Sequence, residues 1–171
     1  MSAPILLSEY DPAWPEQFAR ECERIWQAVG QHLVAIEHIG STAVPGLAAK
    51  PVIDILAAIR SLEEAPACIA PLAALGYTYV PEYEAELPER RYFHHLAGGQ
   101  HLHHLHMTQS DSRFWRVQLL FRDYLRAHPA TAQAYAALKR RLAEQYRDDR
   151  AAYTEAKTEF ILGVLALAEK E

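Results

Sequence analysis

The sequence has little cysteine, no excess of positive charge and no long apolar run. Cys22 and Cys68 lie far apart in helix-like stretches, so we expect free thiols and neither a disulfide framework nor a zinc site. The net charge is −5 at pH 7, and nucleic-acid binders usually present a basic surface. No apolar run approaches the roughly 20 residues that span a bilayer, and the first residues do not resemble a secretory signal. We therefore expect a cytoplasmic protein without a membrane or nucleic-acid partner.

The composition is that of an ordinary globular protein. The chain has 171 residues, of which 50% are hydrophobic and 23% charged, enough for one domain with a hydrophobic core. No internal repeat, low-complexity tract or linker interrupts it. We predict a single domain over residues 1–171.

The spacing of apolar residues predicts an α/β (α+β) fold. A helix is expected between Asp11 and Gly30, another from about Ser61 to Leu75, and helices from Asp111 to the end. Five β-rich runs alternate with turn residues, at 33–39, 51–59, 77–80, 91–96 and 101–108. We expect a mixed sheet with helices mainly on one face, and a C-terminal helical segment, 111–169, covering that same side.

Residues 36–55 contain the most informative pattern. A predicted strand ends at Gly40 and Ser41, and the next strand carries Asp54. Glycine lets the backbone approach a phosphate, serine adds hydrogen-bond donors, and a nearby carboxylate can hold Mg²⁺. Strand alternation places Ile55 in the core and Asp54 on the opposite face. The pattern therefore predicts a site for phosphate and a divalent cation.

Histidines are concentrated in the last predicted strand. His104 and His106 point to the same face, and with Asp54 they can form a site of two imidazoles and one carboxylate for zinc, iron or manganese. His38, just before Gly40, is a further candidate ligand. The alternative is a polar cleft in which these groups bond to one another without a metal. Three other histidines are expected at solvent-facing loop and edge positions: His94, His95 and His101.

The segment around Gly40, Ser41 and Asp54 resembles the signature of the GrpB family. The resemblance continues through five further groups of residues: Arg91-Tyr-Phe93, His103-His-Leu-His106, Phe121-Arg-Asp-Tyr-Leu-Arg126, Tyr135 with Lys139, and Tyr153 with Lys157. It implies a nucleotidyltransferase-like fold, in which Gly-Ser and two or three carboxylates bind a nucleoside triphosphate with a divalent metal. It also implies a link to dephospho-CoA kinase, to which family members are fused.

One departure from the nucleotidyltransferase pattern bears on activity. The second acid is expected two residues after Asp54, where this chain has Leu56, and the later strand offers His104 and His106 in place of the third. Two-metal phosphoryl chemistry requires clustered anionic oxygens. Standard nucleotidyl transfer is therefore not what these residues favour.

Basic residues at family-like positions are candidates for phosphate binding at the rim of the cleft. They are Lys50, Arg91, Arg122 and Lys139, with Lys157 beside them. For Lys139 and Lys157 the alternative is pairing with acids on a helix surface. For Arg122 it is an ion pair with Asp123 or another acid.

Two functions follow from these residues. In the first, the cleft binds a nucleotide or phosphorylated small molecule with Mg²⁺ or Mn²⁺, or with Zn²⁺, and Asp54, His104 and His106 form the catalytic group, because histidine exchanges protons readily near neutral pH. In the second, a catalytically silent module keeps the fold and binds a ligand or stabilises a partner. Leu56 favours the second, and the cluster of titratable groups favours the first.

Overall fold

A computed structural model describes residues 4–171, which form a five-stranded sheet with six α-helices around it. The strands are β1 (Leu33–Ile39), β2 (Ile53–Ile59), β3 (Tyr77–Tyr79), β4 (Arg90–Ala97) and β5 (Gln100–Thr108). The helices are α1 (Trp14–Val29), α2 (Ala65–Ala74), α3 (Arg113–Ala127), α4 (Pro129–Gln145), α5 (Arg150–Ala156) and α6 (Thr158–Ala168). The predicted strands and helices are therefore present, with shifts at their ends.

The sheet is mixed, in the order β1-β2-β5-β4-β3. Only β2 and β5 run parallel to each other; the other three pairings are antiparallel. In the parallel pair, Asp54 lies opposite His104 and Leu56 opposite His106. The three strands expected to be neighbours, 33–39, 51–59 and 101–108, are adjacent. This arrangement brings the two most informative stretches of the sequence side by side.

Helices α1 and α2 cover one face of the sheet. Ile55, Leu105 and Met107 are fully buried there. Helix α1 follows Asp11, whose carboxylate accepts a hydrogen bond from the Ala13 amide at 2.8 Å. Burial of these large apolar side chains supplies most of the stabilisation of this layer.

The four C-terminal helices lie on the other side. Leu125 on α3, Tyr135 on α4 and Val164 on α6 form a second core cluster around Val44 and Leu47, residues of the loop between β1 and β2. No residue of these helices belongs to the core cluster under α1 and α2. The expectation that residues 111–169 cover the same side was wrong, because their apolar stripes are buried against one another and against this loop.

A tight hairpin joins β4 and β5. Ala97 pairs with Gln100, and Gly98 and Gly99 between them have φ of 57° and 78°, as a two-residue hairpin turn of type I′ requires. Successive side chains of each strand point to opposite faces. In residues 4–171, none of the helices combines the length and the apolar character needed to cross a bilayer.

Candidate functional site

A cleft of about 250 Å³ lies between the sheet and the C-terminal helices. The strands contribute Asp54 and His104, and the loop after β1 contributes Gly40 and Ser41. The other polar and aromatic residues that line it are Thr42, Lys50, Gln118, Phe121, Tyr135, Lys139, Tyr153 and Lys157. The structure therefore brings together residues that lie far apart in the chain.

Asp54 is the carboxylate of this cleft. Its Oδ1 lies 3.3 Å from His104 Nδ1 and 3.6 Å from His106 Nε2. Burial alone would raise the pKa of Asp54, but hydrogen bonds from these two imidazoles hold the pKa well below its usual range. Asp54 is therefore ionised at neutral pH.

Gly40 allows the loop to lie against this carboxylate. A Cβ at position 40 would lie 2.6 Å from Asp54 Oδ2, closer than non-bonded atoms can approach, and Gly40 has φ of 74°. Both conditions require glycine. Asp54 Oδ2 therefore faces the Gly40–Ser41 loop, where the sequence predicted a phosphate.

Lys139 is buried at the base of the cleft. Only 3% of the residue is exposed, and its Nζ donates hydrogen bonds to Ser41 Oγ at 2.8 Å and to Ala48 O at 2.6 Å. Burial, together with repulsion from Lys157 and Lys50, lowers its pKa to about 7. The alternative that Lys139 pairs with acids on a helix surface is therefore wrong.

Two further lysines face the same space. Lys157 Nζ lies 4.4 Å from the centre of the Tyr153 ring, and Lys50 Nζ lies 5.7 Å from it. Burial and repulsion from Lys50 lower the pKa of Lys157 to about 8. Burial and Arg150 likewise lower the pKa of Lys50. Three lysines held at reduced pKa around one carboxylate make this cleft suited to an anion.

His106 is held in one tautomer. Arg90 approaches its Nδ1 at 3.4 Å, and a guanidinium can only donate, so Nδ1 accepts and Nε2 carries the proton towards Asp54. Burial lowers the pKa of His106, which keeps the ring neutral. Arg90 was missed by the sequence analysis, although it shares a face of β4 with Tyr92, opposite His106, and alternation could have identified it.

His104 connects the cleft to the end of the hairpin. Its Nε2 lies 3.0 Å from His101 Nδ1, and its other nitrogen faces Asp54. The chain of groups Asp54, His104 and His101 runs from the cleft to a partly exposed position. His101 therefore has a partner in the cleft and is more than a solvent-facing residue.

His38 lies on the opposite face from Asp54. Its Cα is paired with that of Ile55, so its side chain points to the apolar layer, where it stacks on Phe18 at 4.7 Å. Its Nε2 lies 2.9 Å from Thr42 Oγ1, and burial lowers its pKa to about 4. The prediction that His38 joins a metal site with Asp54 was wrong, because the sheet separates them.

Arg122 has protein partners for its guanidinium. It donates to Glu37 Oε2 at 2.6 Å, to His38 O at 3.1 Å and to Asp123 Oδ1 at 2.8 Å. This is the ion-paired alternative considered above. Arg122 fastens α3 to β1, and its assignment as a phosphate-binding residue was wrong.

Arg91 also lies outside the cleft. Its Cα is paired with that of Met107, which points to the apolar face. Its guanidinium donates to Pro88 O at 2.8 Å and lies 3.5 Å from Glu84 Oε1. The prediction that Arg91 binds phosphate in this cleft was wrong, because strand alternation turns Arg91, like His38, to the face away from Asp54.

The residues of the cleft do not fit a pair of catalytic metal ions. Leu56, at the second-acid position, is fully buried, and Asp54 is the one carboxylate among the lining residues. Among residues 4–171, three side chains of the kinds that bind metal ions place their ligand atoms within 4.8 Å of one another, and Asp54, His104 and His106 are not among them. The cleft contains one carboxylate oxygen that does not face the two imidazoles, Asp54 Oδ2.

Comparison with known proteins gives the family. A family model described as "GrpB protein" matches residues 4–166. The chain is 43% identical over 152 residues to UPF0157 protein YqkA of Bacillus subtilis, covering 89% of this chain and 43% of that protein. It is 33% identical to a protein named dephospho-CoA kinase from Mycolicibacterium paratuberculosis, covering 91% of this chain and 44% of that one. The chain therefore spans less than half the length of these two relatives.

Two solved structures resemble the fold. The crystal structure of GrpB from Enterococcus faecalis superimposes with a TM-score of 0.88 at 37% identity, covering 96% of this chain and 98% of that one. Terminal uridylyl transferase 4 from Trypanosoma brucei, solved with bound CTP, gives a TM-score of 0.52 at 12% identity, covering 91% of this chain and 50% of that one. The predicted nucleotidyltransferase-like fold is confirmed.

Proposed function

The chain belongs to the GrpB family, and from its cleft we propose that it binds a phosphorylated small molecule, with a nucleoside triphosphate as the ligand class that fits best. The observation that carries the proposal is the group of three lysines, Lys50, Lys139 and Lys157, around one cleft. Burying ammonium groups costs free energy, and a bound polyphosphate would offset that cost through charge-assisted hydrogen bonds.

The roles of individual residues follow from their positions. Ser41 and Lys139, which are already hydrogen-bonded to each other at 2.8 Å, would bind one phosphate, and Lys50 and Lys157 the next. Asp54 Oδ2 would share one Mg²⁺ or Mn²⁺ ion with the ligand. The fold supports this choice, because the uridylyl transferase that shares it holds CTP. Fold alone does not fix function, so the lysines carry the argument.

The test is ligand-dependent thermal stability with matched variants. A ligand that binds only the native state at about 100 times its Kd stabilises by about 2.7 kcal/mol, which is readily seen as a rise in Tm. ATP, CTP, GTP, UTP and inorganic triphosphate are each added with Mg²⁺ or with EDTA. Lys139→Gln and Lys157→Gln should reduce the rise in Tm. Lys170→Gln, at the exposed end of the chain, should leave it unchanged. A rise that survives both cleft substitutions would refute the proposed site.

A second candidate is a binding module that does not transfer a nucleotidyl group. Buried Leu56 favours it, because a two-metal centre would need a carboxylate there. The relative named dephospho-CoA kinase also favours it. The matching region makes up only part of that protein, so a region of this kind and a kinase would be joined in one chain there. Pyrophosphate release from a bound nucleotide separates the two candidates. Release that is lost in Asp54→Asn supports transfer; binding without release supports the module.

A further inference from the structure

A second cluster of titratable groups lies on the opposite face of the sheet. Glu21 of α1, His95 of β4 and His103 of β5 place their ligand atoms within 4.8 Å of one another. Helix α1 covers this face of the sheet. The cleft described above plays no part in it, because the sheet lies between them.

The sheet register fixes the two histidines. His95 and His103 are directly paired across β4 and β5, and their rings stack with a centroid separation of 5.2 Å and an interplanar angle of 22°. Their Nδ1 atoms lie 3.0 Å apart. The two ring nitrogens thus face each other at hydrogen-bond distance, and a metal ion bound between them would take the place of that hydrogen bond.

The carboxylate is fixed by its own partners. Glu21 is 4% exposed, and its Oε1 accepts a hydrogen bond from the Tyr77 hydroxyl at 2.8 Å. Arg24 NH1 donates to Oε2, also at 2.8 Å, while its NH2 donates to Leu75 O. Outer groups of this kind orient metal-ligating carboxylates and are a regular part of metal sites.

We propose that Glu21, His95 and His103 form a binding site for one divalent transition-metal ion, for which Zn²⁺ is the fitting probe. Zinc binds imidazole nitrogen at about 2.0–2.1 Å, so two nitrogens on a tetrahedral ion are about 3.3 Å apart. The observed 3.0 Å needs only a small adjustment to reach that separation. Two imidazoles and one carboxylate are also a frequent ligand set for such ions, with the fourth position left to water.

The protonation of the cluster suits a metal. Metal-ligating histidine must be neutral at the ligating nitrogen, and burial lowers the pKa of His103 against the opposing effect of Glu21. Arg24 does not displace the ion, because a carboxylate has about four lone-pair sites and three of these accept from Tyr77 and Arg24. One site on Glu21 is left for the metal.

The experiment is a zinc titration of the full chain after treatment with EDTA and its removal, read against a chromophoric chelator. We expect one tight equivalent of Zn²⁺ per chain. His95→Gln and His103→Gln should each weaken zinc binding by more than about 100-fold. Tyr77→Phe, which removes only a hydrogen bond to the ligand Glu21, should weaken it by about 10- to 100-fold. His94→Gln is the matched control, because it lies next to His95 on β4 but points to the other face.

Asp54→Asn separates this site from the cleft. It should leave the zinc affinity unchanged, and triphosphate binding at the cleft should in turn be unaffected by His103→Gln. A circular-dichroism melt of each variant without metal identifies any that fails to fold, in which case Tyr77→Phe decides. The proposal is overturned if no tight equivalent binds, if the affinity falls with Asp54→Asn, or if His94→Gln lowers it as much as His103→Gln.

Discussion

Anion binding in the cleft should take up protons, because its lysines are held at reduced pKa. At pH 8, a group with the pKa of about 7 found for Lys139 is ~10% protonated, and one with the pKa of about 8 found for Lys157 is ~50% protonated. A phosphate in contact with both would return them towards their ordinary value, where they are almost fully charged. The expected uptake is therefore ~0.9 proton at Lys139 and ~0.5 at Lys157 for each ligand bound.

The measurement is isothermal titration calorimetry of inorganic triphosphate at pH 8, in buffers of different ionisation enthalpy. The slope of the binding enthalpy against the buffer enthalpy gives the number of protons taken up. Comparison between variants cancels the ionisation of the ligand itself. Lys139→Gln should reduce the uptake by ~0.9 proton. Lys157→Gln should reduce it by at least ~0.5, because it also removes the repulsion that lowers the pKa of Lys139. Lys170→Gln is the unaffected control.

The sign of the pH dependence follows from the same linkage. Binding that takes up protons weakens as the pH rises, so the affinity should fall between pH 7 and pH 9. Equal uptake at pH 8 in the unaltered protein and in Lys157→Gln, with binding present in both, would refute the reasoning: the ligand would then not contact these lysines. If Lys139→Gln no longer binds triphosphate, the proton uptake of the unaltered protein is compared with that of Lys157→Gln alone.

Three further predictions concern stability and are checked by urea unfolding. Gly40→Ala should cost more than Gly46→Ala, since both glycines have positive φ, with a cost of about 1–2 kcal/mol, but only at Gly40 does a Cβ meet Asp54; equal costs would refute the steric argument. Asp54→Asn should destabilise the protein at pH 7 by about 1–3 kcal/mol. Because the pKa of Asp54 is lower in the folded than in the unfolded protein, its stabilising contribution is present above about pH 3.9 and is lost as the pH falls further. If the loss of stability at acid pH were the same in Asp54→Asn as in the unaltered protein, this would be contradicted. Arg122→Gln should destabilise the protein by about 1–3 kcal/mol, less than the loss of a fully buried ion pair, because Glu37 is 38% exposed. It should leave the triphosphate affinity unchanged. A loss of affinity would mean that Arg122 does contact the ligand.

Strand alternation predicted much of the site from the sequence alone. It placed Asp54, His104 and His106 on one face and Leu105 in the core, as the structure has them. It was not the basis for His38, which was proposed as a ligand because it lies just before Gly40. Which face of β1 carries His38 depends on its pairing with β2, and a single strand does not contain that information.

The lysines show where local pattern stops being informative. Lys139 lies on a helix with many charged and alanine residues, where a solvated lysine is the usual outcome. Its burial depends on how α4 packs against the loop that carries Ala48, a contact 91 residues away in the chain. Glu21 was missed for a similar reason: it takes part in the buried stripe of α1, but the two histidines that face it come from β4 and β5, much later in the chain.

The turn at Gly98 and Gly99 helps to decide which face of the sheet each histidine of β4 occupies. The hairpin sends His94, His104 and His106 to one face and His95 and His103 to the other. If β4 re-paired one residue out of step, its histidines would change sides, so that His95 would leave Glu21 and enter the Asp54 side. The turn and the irregularity in pairing between His95 and Leu96 together keep His95 opposite His103. An inserted residue that shifted β4 by one position is therefore expected to remove the proposed zinc binding and to spare the cleft, whose described lining contains no residue of β4.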